Sequence, residues 1–394
     1  MLRQSNDVRH ISYGKAVYGN VFNPNWALDR NREIIRPKWV ELLFTSQLDD
    51  RMELKQKEMS VMLSVIVPVH NAERYVGRCL DALLLQDVER YEIICVENGS
   101  TDGTLDVLRR YEKEHEDVVR VCVNREVGVS SARNRGMELA RGEVLAFCDA
   151  DDYVIPGAYG YLLHEFWNDN IDVLKFNSVT LDKYVLRTWH ESGDVRGDVV
   201  YEGSGQSFMR HLGGIPTFVW CNMYRKTFVE KKGIRFEPMM IAEDVLFNLN
   251  VYMADAHVCA VTSNVYRYTM SPEQVTQARE RERMKIAAHC YLKVFEAMAS
   301  HMKQWPDIRD VLEMIMEQQM LPCFSRVFSA GLSRDEFRDV RARFSATGVF
   351  SLKKKLTASK VIDCAMANYT TYSIMSSVYR NVFVPYVLPM MRRK

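Results

Sequence analysis

The sequence predicts an α/β fold: a doubly wound, mostly parallel sheet flanked by helices, with a helical C-terminal region. Three observations predict it. Short apolar, β-branched runs alternate with segments of helical period between residues 61 and 148. A polar, turn-forming cluster follows several of those runs. From about residue 283 the pattern becomes helical throughout.

Each element has its own reason. VMLSVIVPV (61–69) is a continuous apolar run and reads as a buried strand. In 72–86, Tyr75, Val76, Cys79, Leu80, Leu83 and Leu84 recur at helical spacing. YEIICVE (91–97) is a second strand, and 101–115 a second helix with Thr101 or Asp102 at its N-cap. VVRVCV (118–123) is a third strand, and 130–141 a third helix closed by Gly142. EVLAFC (143–148) is a fourth strand. Beyond it the pattern is less regular, with a helix at 243–255. Two long helices follow after 283, then another at 332–344, opened by Ser333 with Glu336 three residues on. This gives three regions: an N-terminal extension (1–60), an α/β domain (61–285) and a helical C-terminal region (286–394). The extension is polar with scattered aromatics, and reads either as an ordered appendage or as a partly disordered leader.

Composition narrows the function. The 394 residues carry 52 Lys and Arg against 51 Asp and Glu, a net charge of +1. A near-neutral chain has no global field for a polyanion, so nucleic acid is not an expected partner. Nine cysteines with no CxxC argue against the common zinc and redox motifs. Together with the lack of a signal-peptide core or an 18-residue apolar stretch, they indicate a reduced, cytoplasmic protein. The terminal YRNVFVPYVLPMMRRK fits either a packed helix or peripheral contact at the inner face of an anionic membrane. Oligomeric state is not legible.

Ligands of open α/β sheets bind outside the carboxyl ends of the strands. Three polar clusters lie there: Pro68-Val69-His70-Asn71, Glu97 to Gly103, and Asp149-Ala150-Asp151-Asp152. The last holds three carboxylates in four residues, which repel unless a cation joins them. Carboxylate donors suit hard cations, Mn²⁺ or Mg²⁺, that also bind phosphate. The bland alternative is an acidic helix cap. Glu243-Asp244 opens an amphipathic helix, where acids are also favoured by the helix dipole. Arg133, Asn134 and Arg135 follow Gly128 at a helix start, a pattern for anion binding or for a solvated basic face. Tyr266-Arg267-Tyr268 with Ser271 is a second Arg-plus-hydroxyl group. No GxGxxG, P-loop, GxSxG or HExxH is present.

The segments LSVIVPVHNAERYVGRCLDALLLQ, YEIICVENGSTDGTLDVL and GVSSARNRGMELARGEVLAFCDADDYV come in that order. TFVWCNMYRKTFVEKKGIRFEP, AEDVLFN and YRYTMSPEQVT follow them. Together they resemble family 2 glycosyltransferases of the GT-A fold, of the bacterial polysaccharide-assembly kind, over residues 62 to 285. The resemblance implies inverting sugar transfer from a nucleotide diphosphate donor. It implies that Pro68, His70, Asn71 and Glu73 line a nucleoside pocket with Glu97 and Asn98 at the base. Asp151 and Asp152 would meet the metal and diphosphate, with Asp152 the direct ligand and Asp149 supporting the loop. Arg133 and Asn134 would hold the donor, and Arg267 and Ser271 would close over the diphosphate. Asp244 would be the general base beside Glu243, and Trp220 would face sugar or acceptor. Glu97-Asn98 stands where the family commonly has two aspartates, and Asn98 can still accept from a uracil N–H, so a UDP-sugar is the expected donor. The acceptor would be a saccharide or lipid-linked saccharide. Two other readings compete. A sugar nucleotidyltransferase usually has a Gly-rich loop after strand one, but the first glycine here is Gly77. A non-catalytic scaffold would be expected to lack Asp152 or Asp244, and both are present.

Overall fold

A computed structural model describes residues 61–167, 170–181, 195–269, 280–352 and 357–387. The N-terminal extension lies outside the described residues. Ser60–Lys394 forms one compact unit.

Its first half is built as the pattern predicts. Strands β1 (Leu63–Val69), β2 (Tyr91–Glu97), β3 (Val119–Val123) and β4 (Val144–Phe147) are parallel, in the order β3-β2-β1-β4. Helices α1 (Val76–Leu84), α2 (Thr104–Glu114) and α3 (Val129–Leu139) connect them. Both faces of β1 are buried, and the strand period of two divides its side chains between two cores. Leu63, Val65, Val67 and Val69 pack with Val76 and Leu80 of α1 and Leu108 of α2. Ile66 points the other way, into a core shared with Ala132 and Met137 of α3. Gly136 is required at that contact, because a Cβ there would meet Ile66 Cγ2 at 2.3 Å. Strand order reverses between β1 and β4, so the crevice at their carboxyl ends is the topological switch point where such sheets bind ligands.

The N-cap of α2 differs from expectation. Gly103 holds that position, and its N–H donates to Glu73 Oε2 at 3.0 Å, while Asp102 Oδ1 accepts from Thr104 N at 3.1 Å. Asp102 thus supports the helix start from just outside the N-cap, and Glu73 of the β1–α1 turn ties down the N-cap backbone.

The second half adds β5 (Tyr153–Val154), α4 (Ala158–Trp167), β6 (Val173–Leu181), β7 (Val199–Ser204), α5 (Gly205–Leu212), β8 (Asn222–Arg225), α6 (Lys226–Lys231), α7 (Glu243–Met253) and β9 (His257–Thr269). These strands extend the same sheet as β4-β8-β6-β9-β5, with β7 on β9. Here directions are mixed: β8 is antiparallel to β4 and β6, and β9 is parallel to β6 but antiparallel to β5 and β7.

Helices α8 (Arg281–Gln304), α9 (Arg309–Ala330), α10 (Arg334–Ala346), α11 (Thr357–Ala365) and α12 (Tyr369–Val378) complete the chain, followed by π-helical turns at Tyr379–Val387. The capping box of α10 forms, with Ser333 N donating to Glu336 Oε2 at 2.7 Å and Glu336 N to Ser333 Oγ at 3.3 Å. Phe295 of α8 and Leu312 and Phe324 of α9 share one core with Phe147 of β4 and Phe247 of α7. The helices are therefore continuous with the sheet's own interior. No helix among the described residues is long and apolar enough to cross a membrane. The basic tail Arg392-Arg393-Lys394 lies outside the described residues.

Candidate active site

The turns leaving β1 and β2 are zipped together at the switch point. Asn98 N donates to Val69 O at 2.9 Å, and His70 Nδ1 lies 3.0 Å from Asn98 O. A carbonyl only accepts, so Nδ1 carries the proton. Asn71 sits at φ 47, a left-handed conformation that asparagine tolerates. Its N–H donates to Ser100 Oγ at 3.0 Å and its Oδ1 accepts from Thr101 N at 2.8 Å. Glu97 is buried and accepts from Ser100 N at 2.5 Å. Asn98 is buried as well, and its Oδ1 accepts from Gly128 N at 3.2 Å. Pro68, His70 and Asn71 are left at the rim, with Glu97 and Asn98 beneath them. Glu73, exposed beside them, accepts from Gly103 N at 3.0 Å.

The acidic loop divides by burial. Asp152 is 0% exposed, and both of its oxygens are engaged. Tyr266 O–H donates to Oδ2 at 2.8 Å, and Thr269 N donates to Oδ1 at 2.7 Å. The same Tyr266 oxygen accepts from Asp149 N at 3.1 Å. Burial, with Asp151 and Asp149 close by, pushes the Asp152 carboxyl up. Each Asp152 oxygen accepts one hydrogen bond and keeps a second lone pair. Asp149 and Asp151 are only half-buried. Arg78 of α1 fixes the loop from below, donating to Asp151 O at 2.6 Å and to Thr269 Oγ1 at 3.0 Å, with its guanidinium over the Tyr153 ring. Sequence reasoning did not single out Arg78, because its partners lie 73 and 191 residues away.

Arg133 is the link to the other acidic pair. Only 4% exposed, it donates from one nitrogen to Asp149 Oδ1 at 2.9 Å and from the other to Glu243 Oε1 at 2.7 Å. Those carboxylates hold the guanidinium well above its usual range despite the cost of burial. It bridges two loops and does not face open space. Asn134 likewise faces protein: its amide donates to Phe236 O at 2.8 Å and accepts from Phe236 N at 2.9 Å. It fixes the approach to α7. That approach ends at Ala242, whose φ of 61 is costly for a residue with a Cβ. Glu243 and Asp244 follow as the first turn of α7. Burial first, then the adjacent Glu243, pushes Asp244 up to about 8, and Arg133 opposes the rise. Asp244 Oδ1 accepts from Val245 N at 2.8 Å.

Trp220 is 4% exposed, so it is a layer beneath the surface. Its ring stacks on Tyr266 at 4.2 Å and on Phe218 at 4.5 Å between centroids. Phe218, 47% exposed, is the ring this stack presents outward. Arg267 is buried and donates to Asn264 O at 2.8 Å. Ser271 lies outside the described residues.

Residues 64–231 match the description of glycosyl transferase family 2. They make up somewhat less than half of the chain, and over them it is similar to that family. Among family 2 relatives, it is 29% identical over 224 residues to the uncharacterized glycosyltransferase EpsJ of Bacillus subtilis, covering 56% of this chain and 64% of that one. It is 42% identical over 237 residues to a poly(ribitol-phosphate) β-glucosyltransferase of Bacillus spizizenii, covering 57% and 34%. It is 26% identical over 305 residues to the poly(ribitol-phosphate) β-N-acetylglucosaminyltransferase TarS of Staphylococcus aureus, covering 74% and 46%. The matches thus span less than two thirds of these relatives' own length. Among solved structures, S. aureus TarS 1–349 with UDP-GlcNAc superposes with a TM-score of 0.55 at 19% identity, covering 82% of this chain and 92% of that one. This likeness shows a shared GT-A fold.

Proposed function

We propose that the protein is an inverting glycosyltransferase that moves a sugar from a nucleotide diphosphate donor, a UDP-sugar, to a hydroxyl of a saccharide or lipid-linked saccharide polymer. The observation that carries this reading is Asp244. It is a carboxylate pushed up to about 8 at the head of α7, tied through Glu243 and Arg133 to the Asp149–Asp152 loop. A base is most useful when its pKa lies near the working pH, and positioned bases contribute roughly 10²–10⁴-fold. Similarity to family 2 and relatives named for transfer to poly(ribitol-phosphate) support the same reading.

In this scheme Asp244 takes the proton from the acceptor hydroxyl. The new bond forms from that oxygen to the anomeric carbon as the bond to the diphosphate oxygen breaks. One displacement needs one base and inverts the configuration. Pro68, His70 and Asn71 meet the nucleoside over the Glu97-Asn98 floor. The donor set is all carboxylate, which fits a hard cation. We assign the cation to Asp151 and Asp152, with Asp149 supporting the loop, because each Asp152 oxygen accepts one hydrogen bond and keeps a second lone pair. When bound, Mn²⁺ or Mg²⁺ would offset charge on the leaving diphosphate. No three metal-ligating side chains converge among the described residues, so phosphate oxygens would complete the coordination. Arg133 and Tyr266 hold the two carboxylate groups in register with each other.

The test is thermal unfolding with UDP, GDP, dTDP and CMP, each with and without Mn²⁺. Ligand at 100 times its Kd stabilises by about 2.7 kcal/mol, a shift of a few degrees. A Mn²⁺-dependent UDP shift that is lost in Asp151→Ala is the expected result. No shift with any nucleotide would overturn the reading.

A further inference from the structure

Beyond β4 from the nucleotide half, the sheet carries a cavity of about 310 Å³. Its lining includes Lys175, Asn177 and Ser178 of β6, Asn264 of β9, and Pro216 and Phe218. Lys175 is the unusual member. Its Nζ donates to Phe176 O and lies 3.5 Å from Asn177 Oδ1. No carboxylate among the described residues pairs with it. Burial pushes the ammonium below the ordinary lysine value, because no counter-charge replaces the lost hydration. A desolvated cation without an anion is costly. A ligand that brings the anion would offset that cost.

The cavity is fastened to the helix of the proposed base. Asp244, Asn248 and Tyr252 are four residues apart and share one face of α7. Asn248 Nδ2 donates to Pro216 O at 2.9 Å, and its Oδ1 accepts from Tyr224 O–H at 2.7 Å. Tyr252 O–H donates to Asn222 Oδ1 at 2.7 Å, and Asn222 Nδ2 donates to Phe218 O at 2.8 Å. Asn222 is also the register partner of Lys175. The cavity wall and the lysine are thus positioned from the face that carries Asp244.

We propose that this cavity seats an anionic group of the acceptor, a phosphodiester or a carboxylate, beside the hydroxyl that attacks. Lys175 meets the charge, Asn177, Ser178 and Asn264 bind the surrounding hydroxyls, and Phe218 supports an apolar face. The proposal rests on the transferase reading above and adds the class of acceptor: a charged polymer and not a neutral glycan.

The experiment is equilibrium binding of three oligomers to the full chain by calorimetry: ribitol-phosphate, galacturonate and maltose oligomers. At least one anionic oligomer is expected to bind about tenfold or more tighter than the neutral one, with the advantage shrinking as salt rises. Which anion binds distinguishes phosphodiester from carboxylate. Lys175→Gln should remove the advantage and Lys175→Arg should keep it, with the UDP-induced thermal shift unchanged in both. Asn264→Asp, at an exposed position, should weaken anionic binding without threatening the fold. The proposal is overturned if the neutral oligomer binds as tightly, if Lys175→Gln binds the anions like the wild type, or if no anionic oligomer binds while the UDP shift persists. Absence of the UDP shift in the wild type would instead sink the transferase reading.

Discussion

Asp244 is held in a form that costs stability and that, under the proposed function, serves catalysis. Its carboxyl is raised from 3.8 to about 8 in the folded chain. Between those values the folded state keeps a proton that the unfolded state loses, so folding stability falls as pH rises through that window. The burden is absent below about pH 4 and full above about pH 8. Asp244→Asn should therefore abolish transfer while raising Tm, with a gain that grows from pH 5 to pH 8. Unfolding curves across that range check it, and a Tm gain independent of pH would contradict the assignment. The same raised value predicts that kcat/KM climbs as the base deprotonates, with its rising limb above the ordinary carboxylate range. In the sequence, the Glu-Asp pair at a helix start fits a helix-dipole preference as well as a base, and only the family resemblance singles out Asp244. The supports of Asp152 were not legible, since Tyr266 and Thr269 lie 114 and 117 residues further along the chain. Local acidity suggests a metal, and only the tertiary contacts show which oxygens are already engaged. The bonds of Asn134 were hidden for the same reason, its partner Phe236 being 102 residues away.

Among the elements, β1–β4 and α1–α3 follow from the text of the chain. Both faces of these strands are buried, so each is a continuous apolar run, and Gly128 and Gly142 punctuate the third helix. The second half resisted because its strands pair across long separations and its sheet is mixed. Tyr153 pairs with Arg267, and Val173 pairs with both Tyr224 and Val258, contacts that no local pattern announces. The close approach of α3 to β1 gives a prediction. Gly136→Ala places a methyl against Ile66, and overpacking of that kind costs about 1–3 kcal/mol. Urea unfolding should show a lowered midpoint with unchanged slope. A wild-type midpoint would mean that the helix shifts freely. Glu92 gives a parallel case. Fully buried, it accepts from Ser64, Arg120 and Arg141 at 2.7–2.9 Å, a support beneath the sheet and away from the site.

For the whole molecule, the shared core decides what can be cut away. Phe295 and Phe324 bury against the interior that holds Phe147 and Phe247, so a chain ending at 285 would expose that surface. Such a truncation should lose near-ultraviolet circular dichroism and become protease-sensitive. A folded, nucleotide-binding 61–285 fragment would show that the sheet needs no such cover. The sequence separated the helical region by its pattern, but could not reveal that one core runs through both. A last consequence comes from α7, which carries Asp244 at one end and anchors the wall of the lysine-bearing cavity one turn later. Asn248 is one helical turn from Asp244, so the proposed base and the cavity wall are carried by one rigid element. Under the two proposals above, an acceptor held by its charge would meet a base whose place is fixed relative to that hold, and a change in the acceptor's spacer would alter which hydroxyl reacts.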